Sequence, residues 1–199
     1  MPKTGFFVYV GGINGSGKST VVEATKNKFP EDVTVFHASK LLLDSLRLSY
    51  RELDNIPNIQ QKQIRNSFYN DKKIFNLKTT IGLIDAHYVI PKNGKLEICV
   101  EELWVENIAM FVHVVTEPDL IYQRLLQDAG SLNRRLMKYD IGLNNITGTI
   151  RSIQNFSISV AEEISARLRK PFSIVDNNSD VDTAAMSMHE QTFKTLLRQ

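Results

Sequence analysis

Residues 11–20, Gly-Gly-Ile-Asn-Gly-Ser-Gly-Lys-Ser-Thr, leave a short apolar run, Phe6–Val10, and enter a helix-like stretch, Ser19–Phe29. Gly12 to Ser19 fits the spacing G-x-x-x-x-G-K-[ST], and a strand before it with a helix after it is the context that gives the spacing meaning. Gly15 and Gly17 permit backbone angles that turn amide N–H groups inward, and the start of the helix adds partial positive charge at the same point. A loop of this kind holds a polyphosphate. Gly12, Asn14, Gly15, Ser16 and Gly17 would form the cradle, Lys18 would reach the β- and γ-phosphates, and the Ser19 hydroxyl would ligate Mg2+.

Four further apolar runs follow: Val33–Phe36, Ile81–Ile84, Met110–Val115 and Phe172–Val175. They are continuous rather than alternating, the pattern of strands covered on both faces. Helix-like segments separate them at Ser39–Leu48, Ile59–Leu77, Val100–Ile108, Asp119–Gln127, Ile146–Arg169 and Asp182–Leu197. Strand alternating with helix predicts an α/β fold of three layers: a five-stranded parallel sheet with helices on both faces, the P-loop NTPase arrangement. At 199 residues the chain is expected to be a single domain, with no internal repeat. The turn-rich strings Pro91-Lys92-Asn93-Gly94-Lys95 and Asp176-Asn177-Asn178-Ser179-Asp180 read as connections.

Composition narrows the partners. A net charge of +2 disfavours a nucleic-acid binder or a polybasic membrane binder, and 42% hydrophobic residues suffice for a core. One cysteine, Cys99, excludes an internal disulfide framework. No stretch approaches membrane-spanning length and no signal-peptide core precedes the first strand, so the expected compartment is the cytoplasm.

In an open parallel sheet, ligands gather beyond the carboxyl ends of the strands. Asp85 follows the buried run Ile81–Ile84 and so faces the edge that carries the glycine loop. There it could hold Mg2+ or accept a proton from a hydroxyl. His87 lies two residues further on and is a weaker candidate. Between the fourth and fifth runs, Tyr122 to Asp140 carries Arg124, Arg134, Arg135 and Lys138 against Asp128 and Asp140. Phosphoryl transfer between two phosphates crowds negative charge together, so arginines that close over the site suit that chemistry. After the second run, Lys40, Arg47 and Arg51 could hold an anionic acceptor, and Gln60, Gln61 and Gln63 offer amides to a nucleobase edge. Leu41, Leu42, Leu43 and Leu46 belong to the core.

Taken in this order, these segments resemble the archaeal-type adenylate kinases, a P-loop nucleoside monophosphate kinase family, over nearly the whole chain. The glycine loop is similar to that family's phosphate loop. Residues 50–65 are similar to its acceptor-side helix, and residues 83–96 to its Asp-Thr-His strand end and following turn. Residues 117–128 resemble the approach to its arginine-rich lid, and residues 172–185 its last strand and closing helix. The resemblance implies ATP and Mg2+ at Gly12–Thr20, including Thr20, with AMP near Arg51 and the glutamine helix; Lys40, Gln60 and His87 are the candidate substrate contacts from the residues themselves. It implies lid arginines Arg124, Arg134 and Arg135 on the transferring group, and the backbone of Asn177 and Asn178 beside the adenine. An acceptor segment of about 39–77 and a lid of about 122–145 follow from it, and a homo-oligomer, often a trimer, is common among its members. The chain departs from the pattern at Ala86, where the family has Thr, in a less dense lid, and at Ile158, where it has an arginine; Arg151 lies two helical turns earlier.

Three activities fit. The first is a nucleoside monophosphate kinase, whose acceptor is already ionised and needs no base. A second is a small-molecule hydroxyl kinase of the nucleoside-kinase kind, with Asp85 as general base. The third is a nucleotide-dependent assembly or regulatory ATPase.

Overall fold

The computed structural model describes residues 5–70, 77, 79–92, 95–100, 108–127 and 145–197. Along the chain run β1 (Phe6–Gly11), α1 (Lys18–Lys28), β2 (Val33–His37), α2 (Ala38–Leu46), α3 (Tyr50–Asn55), α4 (Asn58–Asn70) and β3 (Ile81–Asp85). Then come β4 (Val89–Lys92), β5 (Lys95–Ile98), β6 (Ile108–Val115), α5 (Pro118–Gln127), α6 (Ile146–Leu168), β7 (Phe172–Asp176) and α7 (Val181–Leu196). Five strands form one sheet in the order β2-β3-β1-β6-β7, and every neighbouring pair is parallel. The expected three-layer α/β/α architecture is the observed one.

The alternation of β1 sets the layers, because successive side chains of a strand point to opposite faces. Phe7 and Tyr9 enter a core with Phe36, Ile84 and Phe111, roofed by Leu42 and Leu43 of α2, Ile121 and Leu125 of α5 and Ile150 and Ile153 of α6. Val8 and Val10 enter the other, smaller core with Val21 and Val22 of α1, Leu83, Met110, Val112, Val114 and Ala184 and Met188 of α7. The two faces differ in kind: aromatic rings fill one, and β-branched and small side chains let helices approach closely on the other.

The central strands β1, β3 and β6 are buried almost throughout, as continuous apolar runs require. The runs in β2 and β7 look the same in sequence, yet these strands form the two edges and are only partly covered. Leu42 and Leu43 are buried, with Leu41 and Leu46 packed against them. Pro118 opens α5, a position where the missing N–H costs nothing, and Asp180 caps α7 by accepting from the Thr183 amide at 2.7 Å.

Several expected boundaries move. The turn expected at residues 91–95 falls between β4 and β5, which pair antiparallel and are closed by the Cys99 amide donating to the Tyr88 carbonyl at 2.8 Å; residues 93 and 94 lie outside the described ones. Pro91 disguised it, since proline argues against a strand interior. The glutamine helix is preceded by a separate short helix, α3, held by a Ser49–Glu52 capping box. Of the helix expected over Val100–Ile108, residues 101–107 lie outside the described ones and Ile108 already begins β6. Among the described residues no helix is long and apolar enough to cross a membrane.

Gly11 marks a close approach. A Cβ built there would lie 2.1 Å from the ring of Tyr88, which is fully buried and donates its hydroxyl to the Val112 carbonyl at 2.9 Å. Gly11→Ala should therefore destabilise the fold by roughly 1–3 kcal/mol in urea unfolding, as overpacking does. Combining it with Tyr88→Leu should cost less than the sum of the two single changes.

Candidate functional site

The glycine loop leaves β1 at the centre of the sheet and is pinned from below. Ile13 is buried in the aromatic core, which fixes the loop's outer bend. Gly15 and Gly17 sit at φ of 84° and 76°, the left-handed region that other residues avoid. Gly17 is the N-cap of α1, whose first turn contains no acidic residue. Nothing anionic in the chain's own first turn therefore uses the positive end of that helix.

Beneath the loop lies a buried polar network. The Ser16 carbonyl accepts from the Asn177 amide at 2.9 Å and from the Thr116 hydroxyl at 2.8 Å. Gln154 of α6 pairs with both backbone groups of Thr116, accepting from its N–H at 3.2 Å and donating to its carbonyl at 3.1 Å. Arg124 of α5 donates to the Thr116 hydroxyl and to the Asn177 carbonyl, each at 3.3 Å. Asn177 therefore supports the loop through its side chain, and a Cβ on Gly17 would come within 2.4 Å of that amide and 3.1 Å of the Arg124 guanidinium.

Above the network, Lys18 and Asp85 form a buried ion pair. Asp85 ends β3 in register with Val10 of β1 on one side and His37 of β2 on the other. Its two oxygens are divided: Oδ1 takes Lys18 and Oδ2 takes His37 Nδ1 at 2.8 Å. Burial pushes the Asp85 carboxyl up, but the Lys18 ammonium and hydrogen bonds from Lys18, Ser19 and His37 outweigh it, and the group lies below the usual carboxylate range. The second ring nitrogen of His37 meets Glu23 Oε1 of α1 at 2.7 Å. Both contacts are satisfied when each nitrogen carries a hydrogen.

The other expected site residues are placed as follows. Asn14 is half-buried in the loop, while Ser19 and Thr20 are exposed at the start of α1, with the Ser19 hydroxyl bonded to Asp85. His87 turns its Nδ1 to the Gly12 carbonyl at 2.9 Å, so it braces the loop. Lys40 and Gln60 are exposed on α2 and α4, and Arg151 is exposed on α6. Gln61 is buried and committed to the backbone, donating to Leu53 and Ile56 at 2.8 and 2.7 Å. A base-reading amide there is thereby excluded. Arg51 lies in α3. Arg134 and Arg135 lie outside the described residues.

The site admits the nucleotide and metal that its loop implies. The Ser16 hydroxyl in the loop is buried with no hydrogen-bond partner among the described residues, and Gly12 leaves no room there for a Cβ, which would come within 2.8 Å of that hydroxyl. Among those residues no group of three or more His, Cys, Asp or Glu could hold an ion by itself. The Ser19 hydroxyl and the Asp85 carboxylate are instead the sparse hard-oxygen pair that suits Mg2+ shared with phosphates and water.

The family described as AAA domain matches residues 11–137. No curated protein matches the sequence. Among solved structures the chain is similar to a shikimate kinase from Acinetobacter baumannii in complex with shikimate, with 14% identity, 96% of this chain and 95% of that chain covered, and a TM-score of 0.63. It is similar also to a shikimate kinase from Bacteroides thetaiotaomicron, with 12% identity, 94% and 98% coverage, and a TM-score of 0.57. At these identities the likeness is one of fold, that of P-loop kinases.

One buried group near the loop reports on acidity. His113, opposite Gly11 in β6, is held neutral: burial lowers its pKa from 6.5 to about 4. The unfolded chain takes up that proton first, so this contribution is complete above pH 6.5 and is lost as pH falls toward 4. Stability should drop by about 2 kcal/mol between pH 7 and pH 5 from this residue alone. Urea unfolding at both values checks it, and His113→Gln should flatten that part of the slope.

Proposed function

The chain belongs to the AAA domain family of P-loop proteins, and we propose that it transfers the γ-phosphoryl group of Mg·ATP to a small anionic acceptor, a nucleoside monophosphate such as AMP. The observation that carries this reading is the convergence of Lys18, Ser19 and Asp85 at the open N-terminus of α1. Backbone amides of the loop would hold the phosphates, and Lys18 would turn from Asp85 to them. Ser19 and Asp85 would hold Mg2+, which neutralises charge on the phosphates. Arg124 stands beside Gly17, where the loop meets the helix. With Arg134 and Arg135 it would counter the charge that two phosphates bring together.

The acceptor class follows from Asp85. With His37 on one oxygen and Ser19 beside the carboxylate, Asp85 is placed to ligate a metal once Lys18 leaves, rather than to take a proton from an acceptor. That favours an acceptor that arrives already ionised. A hydroxyl kinase is the second reading, favoured by the fold likeness to shikimate kinases, one of them in complex with shikimate.

Stoichiometry separates the two. With AMP each ATP consumed yields two ADP, whereas with a hydroxyl acceptor it yields one. ATP should be offered with each nucleoside monophosphate and with hydroxyl compounds, and diphosphate measured apart from free phosphate. Lys18→Ala should lower transfer roughly 100-fold or more, measured on protein verified as folded because the change also leaves Asp85 without its buried counter-charge. Asp85→Asn should raise the Mg2+ requirement; a complete loss of turnover at saturating Mg2+ would favour the hydroxyl reading. Hydrolysis without transfer to any acceptor would overturn both.

A further inference from the structure

Building on the phosphotransferase reading, we propose that His37 is a positioning residue for the magnesium site, holding the Asp85 carboxylate in place when Lys18 leaves it for a bound phosphate. The carboxylate is gripped at both oxygens, and the grips are independent: Lys18 holds Oδ1 and His37 holds Oδ2. When Lys18 turns away, Oδ1 is released beside Ser19 and Oδ2 stays fixed. A carboxylate with one oxygen held and one free is oriented for a single metal bond, and a partner behind a ligand is what sets that orientation.

His37 is itself held. Its other nitrogen meets Glu23 Oε1 at 2.7 Å, and Glu23 lies one turn after Ser19 on the same face of α1. A closed circuit results: Ser19 and Glu23 share one helix, Asp85 and His37 share adjacent strand ends, and the ring links the two sides. Lys26, exposed, lies 3.8 Å from the other oxygen of Glu23. His37 also occupies the N-cap of α2 without capping it, since its ring makes no hydrogen bond to that helix. The position forgoes the usual Ser, Asp or Asn and spends its side chain on the carboxylate.

Calorimetry of ATP binding, in Mg2+ and again in EDTA, tests this on folded wild type, His37→Ala, His37→Gln and Glu23→Gln. In wild type, Mg2+ should strengthen ATP binding; His37→Ala should lose roughly 10- to 100-fold of that gain with its EDTA affinity unchanged. His37→Gln, whose amide can still donate to Oδ2, should recover part of the gain. Glu23→Gln should lose a smaller share, and because Glu23 is only half-buried it carries the test if His37→Ala fails to fold. A gain equal to wild type in the His37 variants, or an equal fall in EDTA, overturns the positioning role alone. Absence of ATP binding by wild type overturns the phosphotransferase reading beneath it.

Discussion

A lysine ammonium buried at the start of a helix demands a counter-charge, and Asp85 supplies it from the next strand. Leaving either partner alone at that depth costs several kcal/mol, so the pair is strongly linked to the fold around it. It fixes α1 against β3, the direction of the glycine loop, and the end at which the sheet gathers its functional groups. In the proposed reaction such a pair would be a poor final state, because a bound phosphate would offer the lysine a stronger partner while the carboxylate would retain His37. The chemistry of the site starts from that competition.

Below the pair, the loop rests on side chains from four separate segments. Thr116 and Asn177 follow adjacent strands β6 and β7, Arg124 sits on α5, and Gln154 reaches in from α6. These side chains bond to one another and to the backbone of Ser16, Thr116 and Asn177. A buried network that is nearly complete rigidifies what it touches. The loop's geometry is therefore imposed from beneath as much as by its own glycines.

Much of this was readable before any coordinates. The glycine spacing, the five apolar runs and the position of Asp85 follow from periodicity and from the rule that sites lie at strand ends. His37 obeys the same rule, ending an apolar run on the same edge, but a lone histidine has no spacing to distinguish it. Glu23 looks like any charged residue on a helix surface. Gln154 left a fainter trace: a polar residue on the stripe of Ile150, Ile153 and Ser157, where α6 faces the core. Gln61 misled in the opposite sense, since an amide suited to a base is equally suited to two backbone carbonyls. Edge strands β2 and β7 could not be told from central ones because strand order is a property of tertiary packing.

The passage from β2 to α2 contains no spacer: His37 is the last residue of the strand and Ala38 the first of the helix. Such a joint has no slack. The helix runs on to Arg47, which closes it in the left-handed conformation at φ 55°. Leu42 and Leu43 seat the helix on the aromatic core, so the strand end that bears the imidazole is anchored by the helix that begins at the very next residue.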